Sequence, residues 1–185
     1  MTKLEKGDFG YIKNKKKKLV VYLAIVILLA LGIFFLGLVR NDFSKKNIFS
    51  VLAMLMVLPG AKILTSLIVI WPHKALDSIQ YKELEERIKG NSGLLYGMVL
   101  TSSEKVMHIK AMAVLEESYI ILPCEKQDTE YMKAYIKKHM YNYGFDKKVE
   151  IKKDYNAFKK AIDNKTMVDK ENIDKIKNKL MILQI

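Results

Sequence analysis

Three charged residues in the C-terminal part of the chain, Glu104, Glu125 and Lys126, are of types that could support hydrolysis. Paired carboxylates can hold a magnesium ion, and a lysine beside them can assist the attacking water. Glu104 begins one predicted strand, whereas Glu125 and Lys126 follow another. Because successive residues of a strand point to opposite faces, this spacing aims Glu125 and Lys126 apart. These three are the catalytic candidates, but their pattern favours a non-catalytic role.

The sequence predicts no metal site and no cofactor. His73, His108 and His139 are scattered without the spacing of zinc ligands, and no glycine-rich phosphate-binding loop occurs. Cys124 is the only cysteine, which excludes an internal disulfide and fits a reducing compartment. With no base near it in the sequence, Cys124 is predicted to be a buried structural thiol.

Tyr131, Tyr135, Tyr141 and Tyr143 could form a stacking surface for nucleobases. No basic stripe accompanies them in the sequence, and tyrosines at helical spacing commonly serve packing. Nucleic acid is therefore not predicted as a partner.

Lys62 interrupts the second of two apolar runs, close to Pro59 and Gly60. A lysine at the centre of a membrane span costs about 2.5–3.5 kcal/mol, so this position is a candidate for ion or substrate contact. The alternative is a structural lysine that extends to the interface or binds carbonyls freed by Pro59. No acidic residue occurs in either run to pair with it, and the structural interpretation is favoured.

A cluster of five lysines directly precedes the first apolar run. Its members are Lys13, Lys15, Lys16, Lys17 and Lys18. Each lysine near an anionic membrane surface contributes about 1 kcal/mol of attraction. These lysines are therefore predicted to contact anionic lipid and to set the orientation of the protein in the membrane.

The two apolar runs exclude a simple soluble globule. Residues 19–39 carry no charge and residues 48–71 carry only Lys62; each is long enough to cross a hydrocarbon core of about 30 Å. The loop of residues 40–47 is short enough for an antiparallel hairpin. The excess of lysine before the first run predicts a multi-pass protein of the cell membrane, with both termini cytoplasmic and the loop outside.

Residues 73–185 are predicted to form a cytosolic α+β domain. Met107, Ile109, Ala111 and Ala113 are expected to share one face of a strand, with His108 and Lys110 on the other. The predicted order is a helix, a three-strand meander, a helix, a strand and a helix. The first helix is placed at residues 74–89 and the meander at 93–101, 105–115 and 119–123. The second helix is capped by Asp128, the fourth strand spans residues 148–152, and the next helix is capped by Asp154. A last helix starts at Asp169 or Asn172, although its end could be a strand.

This order resembles the core of the restriction-endonuclease-like (PD-(D/E)xK) superfamily over roughly residues 74–163. That superfamily places an Asp early in its second strand and an acid-x-Lys motif in its third. Here the second strand begins Glu104-Lys105 without an Asp, and Lys126 follows Glu125 one position too early. The resemblance implies a degenerate, non-catalytic relative.

Three further segments, FGYIK at residues 9–13, FSKKNIF at 43–49 and VLPGAK at 57–62, carry a second resemblance. They are similar to a group of small, uncharacterised two-span membrane proteins of AT-rich Gram-positive bacteria. The resemblance implies the same two-span architecture and no particular activity.

The sequence therefore predicts a two-helix transmembrane hairpin in residues 19–72, preceded by a basic arm at 1–18 and followed by the domain at 73–185. The favoured function is a membrane-anchored, non-catalytic interaction or regulatory module that binds a protein partner or a second copy of itself, with membrane lipids around it. The alternatives are a membrane-tethered nuclease-like hydrolase and a small oligomeric transporter or pore component.

Overall fold

The computed structural model describes residues 4–88, 93–163 and 166–184. The chain divides into two compact units. One comprises Lys13–Pro72, and the other combines the residues up to Ile12 with those from His73 onward. The segment predicted as a basic arm is thus shared between the two units, and its first residues belong with the C-terminal ones.

The first unit consists of apolar helices. Helix α1 spans Tyr11–Arg40, α2 spans Ile48–Leu55 and α3 spans Val57–Ile70. By length and composition, α1 and the α2–α3 pair are each able to cross a membrane. None of the most apolar stretch of α1 is buried inside the structure, and only 11% of that of α2–α3 is buried.

Helix α1 begins earlier than the first apolar run. The sequence places the start of the span at residue 19, after a basic arm, whereas the structure is helical from Tyr11. The five lysines between Lys13 and Lys18 therefore lie in the first turns of the helix. Lysine has a good intrinsic helix propensity, so the helix continues through these residues although they carry no apolar signal.

The α2–α3 pair is interrupted at Met56, three residues before Pro59. Pro59 has no amide hydrogen to donate to the carbonyl of Leu55, and its ring crowds that carbonyl. A proline inside an apolar helical run predicts a kink, and the structure shows the break one turn before Pro59. Pro59 itself lies in the first turn of α3, where a missing amide hydrogen is tolerated.

The connection between α1 and α2 is closed by asparagines. The side-chain oxygen Oδ1 of Asn47 accepts the Ser50 amide at 2.9 Å and caps α2. The side-chain amides of Asn41 and Asn47 both donate to the Gly37 carbonyl, at 2.8 and 3.2 Å. A Cβ atom added at Gly37 would overlap the Cβ atom of Phe49, so the close approach of the two helices requires a glycine there.

The second unit is an α+β fold with a mixed four-stranded sheet in the order β1-β2-β3-β4. The first three strands form the predicted antiparallel meander, and β4 pairs parallel to β3. Its elements are α4 (Ser78–Ile88), β1 (Leu94–Thr101), β2 (Val106–Val114), β3 (Ser118–Pro123), α5 (Thr129–Asn142), β4 (Lys148–Ile151), α6 (Tyr155–Ile162) and α7 (Lys170–Ile182).

Helices cover both faces of the sheet, which gives three layers. One face packs against α5 and α7 through the fully buried Ile136, Ile176 and Leu180. The other face packs against α4 and α6 through Leu84 and Phe158. Burial of each such side chain contributes about 1.5–3 kcal/mol to folding, so the two apolar layers hold the sheet between the helices.

Strand β2 changes faces midway. Met107 and Ile109 belong to the core against α5 and α7, whereas Ala111 and Ala113 belong to the core against α4 and α6. The register with β3 shifts between Ile109 and Ala111, which leaves Lys110 as the extra residue of a β-bulge. The prediction that these four apolar residues share one face is wrong, because one inserted residue reverses the alternation.

Other boundaries also differ from the predictions. The helix expected over residues 74–89 begins only at Ser78, whose amide donates to Asp77 Oδ1 at 2.8 Å. The C-terminal end is helical to Ile182, and Gln184 then forms a single bridge to Leu100. Of the break predicted at residues 90–93, residues 90–92 lie outside the described ranges.

Glu150 on β4 lies between two lysines. Its carboxylate oxygens are 2.9 Å from Lys148 Nζ and 3.2 Å from Lys152 Nζ. Hydrogen bonds from Lys148 and then Lys152 lower the pKa of Glu150 to about 2.

We predict that Gly37→Ala destabilises the helical hairpin by about 1–3 kcal/mol, because the added methyl group overlaps Phe49. The measurement is the thermal unfolding of the full chain in maltoside detergent. Gly32→Ala is the matched control, since a Cβ atom at Gly32 on the same helix meets nothing within 4 Å. Equal unfolding temperatures for the two variants would contradict the close helix contact.

We also predict a pH-dependent effect of Glu150→Gln. A carboxyl whose pKa falls to about 2 on folding, from about 4.3 in the unfolded chain, stabilises the fold above pH 4.3 and loses that effect as the pH falls towards 2. The variant should unfold about 2 °C lower than the wild type at pH 7, and the difference should shrink between about pH 4.5 and pH 2.5. Glu117→Gln, at an exposed glutamate with no ion pair among the described residues, should show no such trend.

Candidate functional site

The structure does not join the three catalytic candidates in one site. Glu104 lies exposed in the turn between β1 and β2. Glu125 lies just beyond β3 and pairs with Lys74 at 3.3 Å, with both side chains 67% exposed. Lys126 is exposed and has a left-handed φ of 59°. No hydrogen bond or ion pair connects any two of the three within the described residues.

Lys62 is exposed on α3. Gly60 lies on the side of α3 that faces α1, where a Cβ atom would be 3.5 Å from Val26 Cγ1. Two residues further along a helix lie about 200° around its axis, so Lys62 is on a different face from Gly60. Pro59 stands beside Gly60 in the first turn of α3. Within the first unit, Lys62 is therefore directed away from α1.

The five lysines predicted to contact lipid differ in exposure. Lys13, Lys17 and Lys18 are exposed, whereas Lys15 and Lys16 are half-buried. All five belong to α1 and not to an arm that precedes it, so successive members point in different directions around the helix axis. An exposed side chain such as that of Lys17 is accessible to a lipid headgroup, and the lipid contact stays a prediction.

Lys16 has a structural role within the first unit. Its Nζ atom donates to the carbonyl of Trp71 at 2.8 Å. Trp71 is the C-cap of α3, where helix carbonyls lack helical partners and a cation is favoured by the helix dipole. Lys16 thus links the start of α1 to the end of α3 and stabilises the hairpin.

A cleft of about 400 Å³ in the α+β unit brings together residues that the sequence did not connect. Its walls come from the N-terminal segment (residues 4–10, the name used below), α4, β1 and α7. The lining residues are Leu4, Gly7, Asp8, Phe9, Tyr81, Glu85, Leu94, Leu95, Tyr96, Ile173, Asp174 and Lys177.

Three aromatic rings form one wall of the cleft. Phe9 and Tyr81 stack in parallel with centroids 4.0 Å apart. Tyr96 stands nearly perpendicular to both, at 6.1 Å from Phe9 and 5.1 Å from Tyr81. The rings come from the N-terminal segment, α4 and β1, so their contacts fasten three distant parts of the chain together.

Carboxylates adjoin the rings. The Tyr96 hydroxyl, on a residue only 5% exposed, donates to Glu85 Oε1 at 2.9 Å. Burial, and then the Glu85 hydrogen bond, raise the pKa of Tyr96 far above its ordinary value. Burial also raises the pKa of Tyr81, with smaller contributions from Glu85 and Asp8. Both phenols therefore stay neutral, and the negative charge of the cleft lies on its carboxylates.

The N-terminal segment is held to the unit at several points. The Gly7 carbonyl accepts the Tyr96 amide at 2.7 Å, as a neighbouring strand would do for β1. Gly7 has a φ of 92°, and a Cβ atom there would lie 3.3 Å from Lys177 and Met181. Lys177 Nζ lies 3.5 Å from Asp8 Oδ1 and 3.7 Å from Glu5 Oε2.

Sequence reasoning missed this cleft because its walls are far apart in the chain. Asp8 and Lys177 are separated by 169 residues, and neither the basic arm nor the resemblance carried by residues 9–13 assigns Phe9 a contact with distant parts of the chain. The available clues in the sequence were Phe9 itself and the glycines on either side of it, Gly7 and Gly10. In the structure their φ angles of 92° and 84° favour glycine.

Cys124 is buried as predicted, at 6% exposure, and the structure places histidines beside it. Its Sγ atom lies 3.8 Å from His73 Nδ1 and 3.4 Å from the Lys74 carbonyl oxygen. The rings of His73 and His108 are 6.0 Å apart. Across the described residues, no three His, Cys, Asp or Glu side chains are grouped so that they could hold a metal ion.

Helix α5 carries an aromatic row. Tyr131, Tyr135, His139 and Tyr143 follow one another at four-residue spacing, with centroid separations of 6.0, 6.3 and 4.9 Å. Tyr141, which the sequence grouped with the other tyrosines, is 63% exposed and outside the row. Tyr131 and Tyr135 pack against the core, in agreement with a packing role.

Comparison of the chain with protein-family models, curated proteins and solved structures finds no match.

We predict that Lys177→Ala loosens the N-terminal segment, because it removes the contacts with Glu5 and Asp8. Amide exchange at Tyr96, whose N–H donates to Gly7, should accelerate about three- to fivefold, as expected for losing partly exposed ion pairs. Hydrogen exchange of the full chain in detergent measures this. Lys175→Ala is the control, since Lys175 pairs with Glu171 on its own helix; an equal change in both variants would refute the contact.

Proposed function

We propose that the protein is a membrane-anchored, non-catalytic binding module. Its two apolar helical stretches form a hairpin in the cell membrane, and its α+β unit faces the cytoplasm and binds a partner. The observation that carries the proposal is that residues before α1 and after α3 fold into the same unit, which carries an aromatic and acidic cleft.

The apolar helices support membrane anchoring. Their hydrophobic side chains are largely unburied, including Leu28 at 67%, Leu36 at 67% and Leu58 at 69% exposure. Contiguous apolar surface of this extent is destabilising in water and marks contact with a membrane or a partner. In a bilayer the same side chains favour insertion.

The shared unit supports a hairpin with both ends on one side. A chain that leaves a folded unit at Ile12 and returns to it at His73 must cross the membrane an even number of times. The lysines at the start of α1, among them the exposed Lys17, favour the cytoplasmic side for that unit. The loop containing Ser44 would then face outward.

The placement of the charged residues supports binding over catalysis. Glu125 is engaged by Lys74 in solvent, and Lys126 lines a different, shallow pocket together with Lys105 and Asp128. The cleft, in contrast, combines rings, carboxylates and apolar side chains in one place, which is typical of a ligand site.

Lys62 supports self-association as part of the proposal. It is exposed on the face of α3 directed away from α1, and a charged side chain at that depth is stabilised when it meets polar groups of another helix. A second copy of the hairpin provides such groups in Thr65 and Ser66, whose hydroxyls already donate to helix carbonyls at 2.9 and 3.1 Å.

Cysteine labelling with a membrane-impermeant maleimide tests the topology. Ser44→Cys should be labelled in intact cells, whereas Lys153→Cys, at an exposed site of the α+β unit, should be labelled only after permeabilisation. The native Cys124 is buried and serves as the unlabelled background. Labelling of both sites in intact cells, or of Lys153→Cys alone, would overturn the proposed topology.

The non-catalytic part is tested on the purified full chain in detergent. It should leave single- and double-stranded DNA intact in the presence of magnesium. Magnesium-dependent cleavage that is lost in Glu125→Gln but retained in Glu117→Gln would replace the binding module with the nuclease-like hydrolase.

A further inference from the structure

The cleft between the N-terminal segment, α4, β1 and α7 has the composition of a site for an amphipathic cation. Its volume of about 400 Å³ is in the range of small-molecule sites. Three kinds of lining surface meet in it: aromatic rings, carboxylates and aliphatic side chains. Each of them matches a different part of one class of ligand.

The carboxylates set the sign of the charge. Asp8, Glu85 and Asp174 line the cleft against one lysine, Lys177. That lysine is already engaged by Asp8 and by Glu5 outside the cleft. Glu85 and Asp174 are exposed at the mouth, and neither forms an ion pair within the described residues. A cation entering the cleft therefore meets uncompensated negative charge, whereas an anion is repelled.

The rings and aliphatic side chains select the kind of cation. The half-buried rings of Phe9 and Tyr81 offer π surface to an ammonium group, and the buried Tyr96 ring supports them from behind. A hydrated metal ion gains less from such π surface than an ammonium group does. The apolar surface for an alkyl chain comes mainly from Leu4, which is 38% exposed, with the buried Leu94, Leu95 and Ile173 behind it. The two phenols are neutral near physiological pH, as an ordinary tyrosine already is. Burial and the nearby carboxylates raise their pKa values further, so the rings add no charge of their own.

We infer that this cleft binds an alkylammonium ion, with the ammonium group between the rings and the carboxylates of Glu85 and Asp174 and the alkyl chain against Leu4. The inference deepens the proposed function by naming the ligand class of the binding module. It rests on that function only in treating the α+β unit as a binding unit.

Titration of the full chain in maltoside detergent with three isosteric probes tests the ligand class. Pentylammonium should bind with a Kd of about 1 mM or tighter. 1-Pentanol, which keeps the chain and lacks the charge, and pentanoate, which reverses the charge, should each bind at least about tenfold more weakly. Detergents with choline headgroups are avoided, because they carry the cation under test.

Three variants connect the binding to the cleft. Glu85→Gln and Asp174→Asn each remove one charge with little change in shape and should raise the Kd of pentylammonium about fivefold. Phe9→Leu removes a ring and should raise it about threefold. Glu86→Gln, next to Glu85 on α4 but outside the cleft lining, is the matched control and should leave the Kd unchanged.

The outcomes are distinguishable. Equal binding of pentylammonium and 1-pentanol, an equal effect of Glu85→Gln and Glu86→Gln, or no binding of pentylammonium at about 10 mM would each overturn the cation site. Those results would leave the cysteine-labelling pattern unchanged. Conversely, an inverted labelling pattern would overturn the proposed topology and leave pentylammonium binding intact.

Discussion

At Gly97, strand β1 contacts both the segment where the chain leaves the α+β unit and the segment where it returns. Ile12, in the first turn of α1, is the last residue of that unit on the N-terminal side, and His73 is the first residue after α3 that belongs to it. Both lie against β1 here. A Cβ atom at Gly97 would be 3.4 Å from Ile12 Cγ1 and 3.6 Å from His73 Nε2. Gly97 also has a left-handed φ of 54°, so this junction depends on a residue without a side chain.

Several other features follow from this junction. Because the chain crosses β1 at Ile12, the N-terminal segment runs alongside the strand and its Gly7 carbonyl receives the Tyr96 amide. That placement brings Phe9 onto Tyr81 and thereby completes the cleft. His73, on the other side of the junction, is placed beside the buried Cys124. The aromatic wall and the thiol–imidazole contact thus share one structural origin.

The predictable parts of the fold are those with local signals. The apolar helices follow from uninterrupted composition, and β1 and β3 follow from short apolar runs bounded by turn residues. The starts of α5 and α6 follow from Asp128 and Asp154, whose carboxylates accept helix amides. The bulge at Lys110 was not predictable, because an inserted residue leaves the composition unchanged. The cleft was not predictable either, since its charged contact between Asp8 and Lys177 spans 169 residues and no local pattern encodes such a separation.

The hydrogen bond from Lys16 to Trp71 has a consequence for the order of events during biosynthesis. The N-terminal segment is translated long before β1 and α7. Its contacts with them therefore cannot form until the apolar helices have already been synthesised. Once Lys16 contacts Trp71, the 54 residues between them no longer contribute to the free loop of 60 residues between Ile12 and His73. The entropy cost of closing a loop grows with the logarithm of its length. Pairing of the helices shortens the free loop and so reduces the cost that remains. It therefore lowers the entropy cost of bringing the N-terminal segment onto β1.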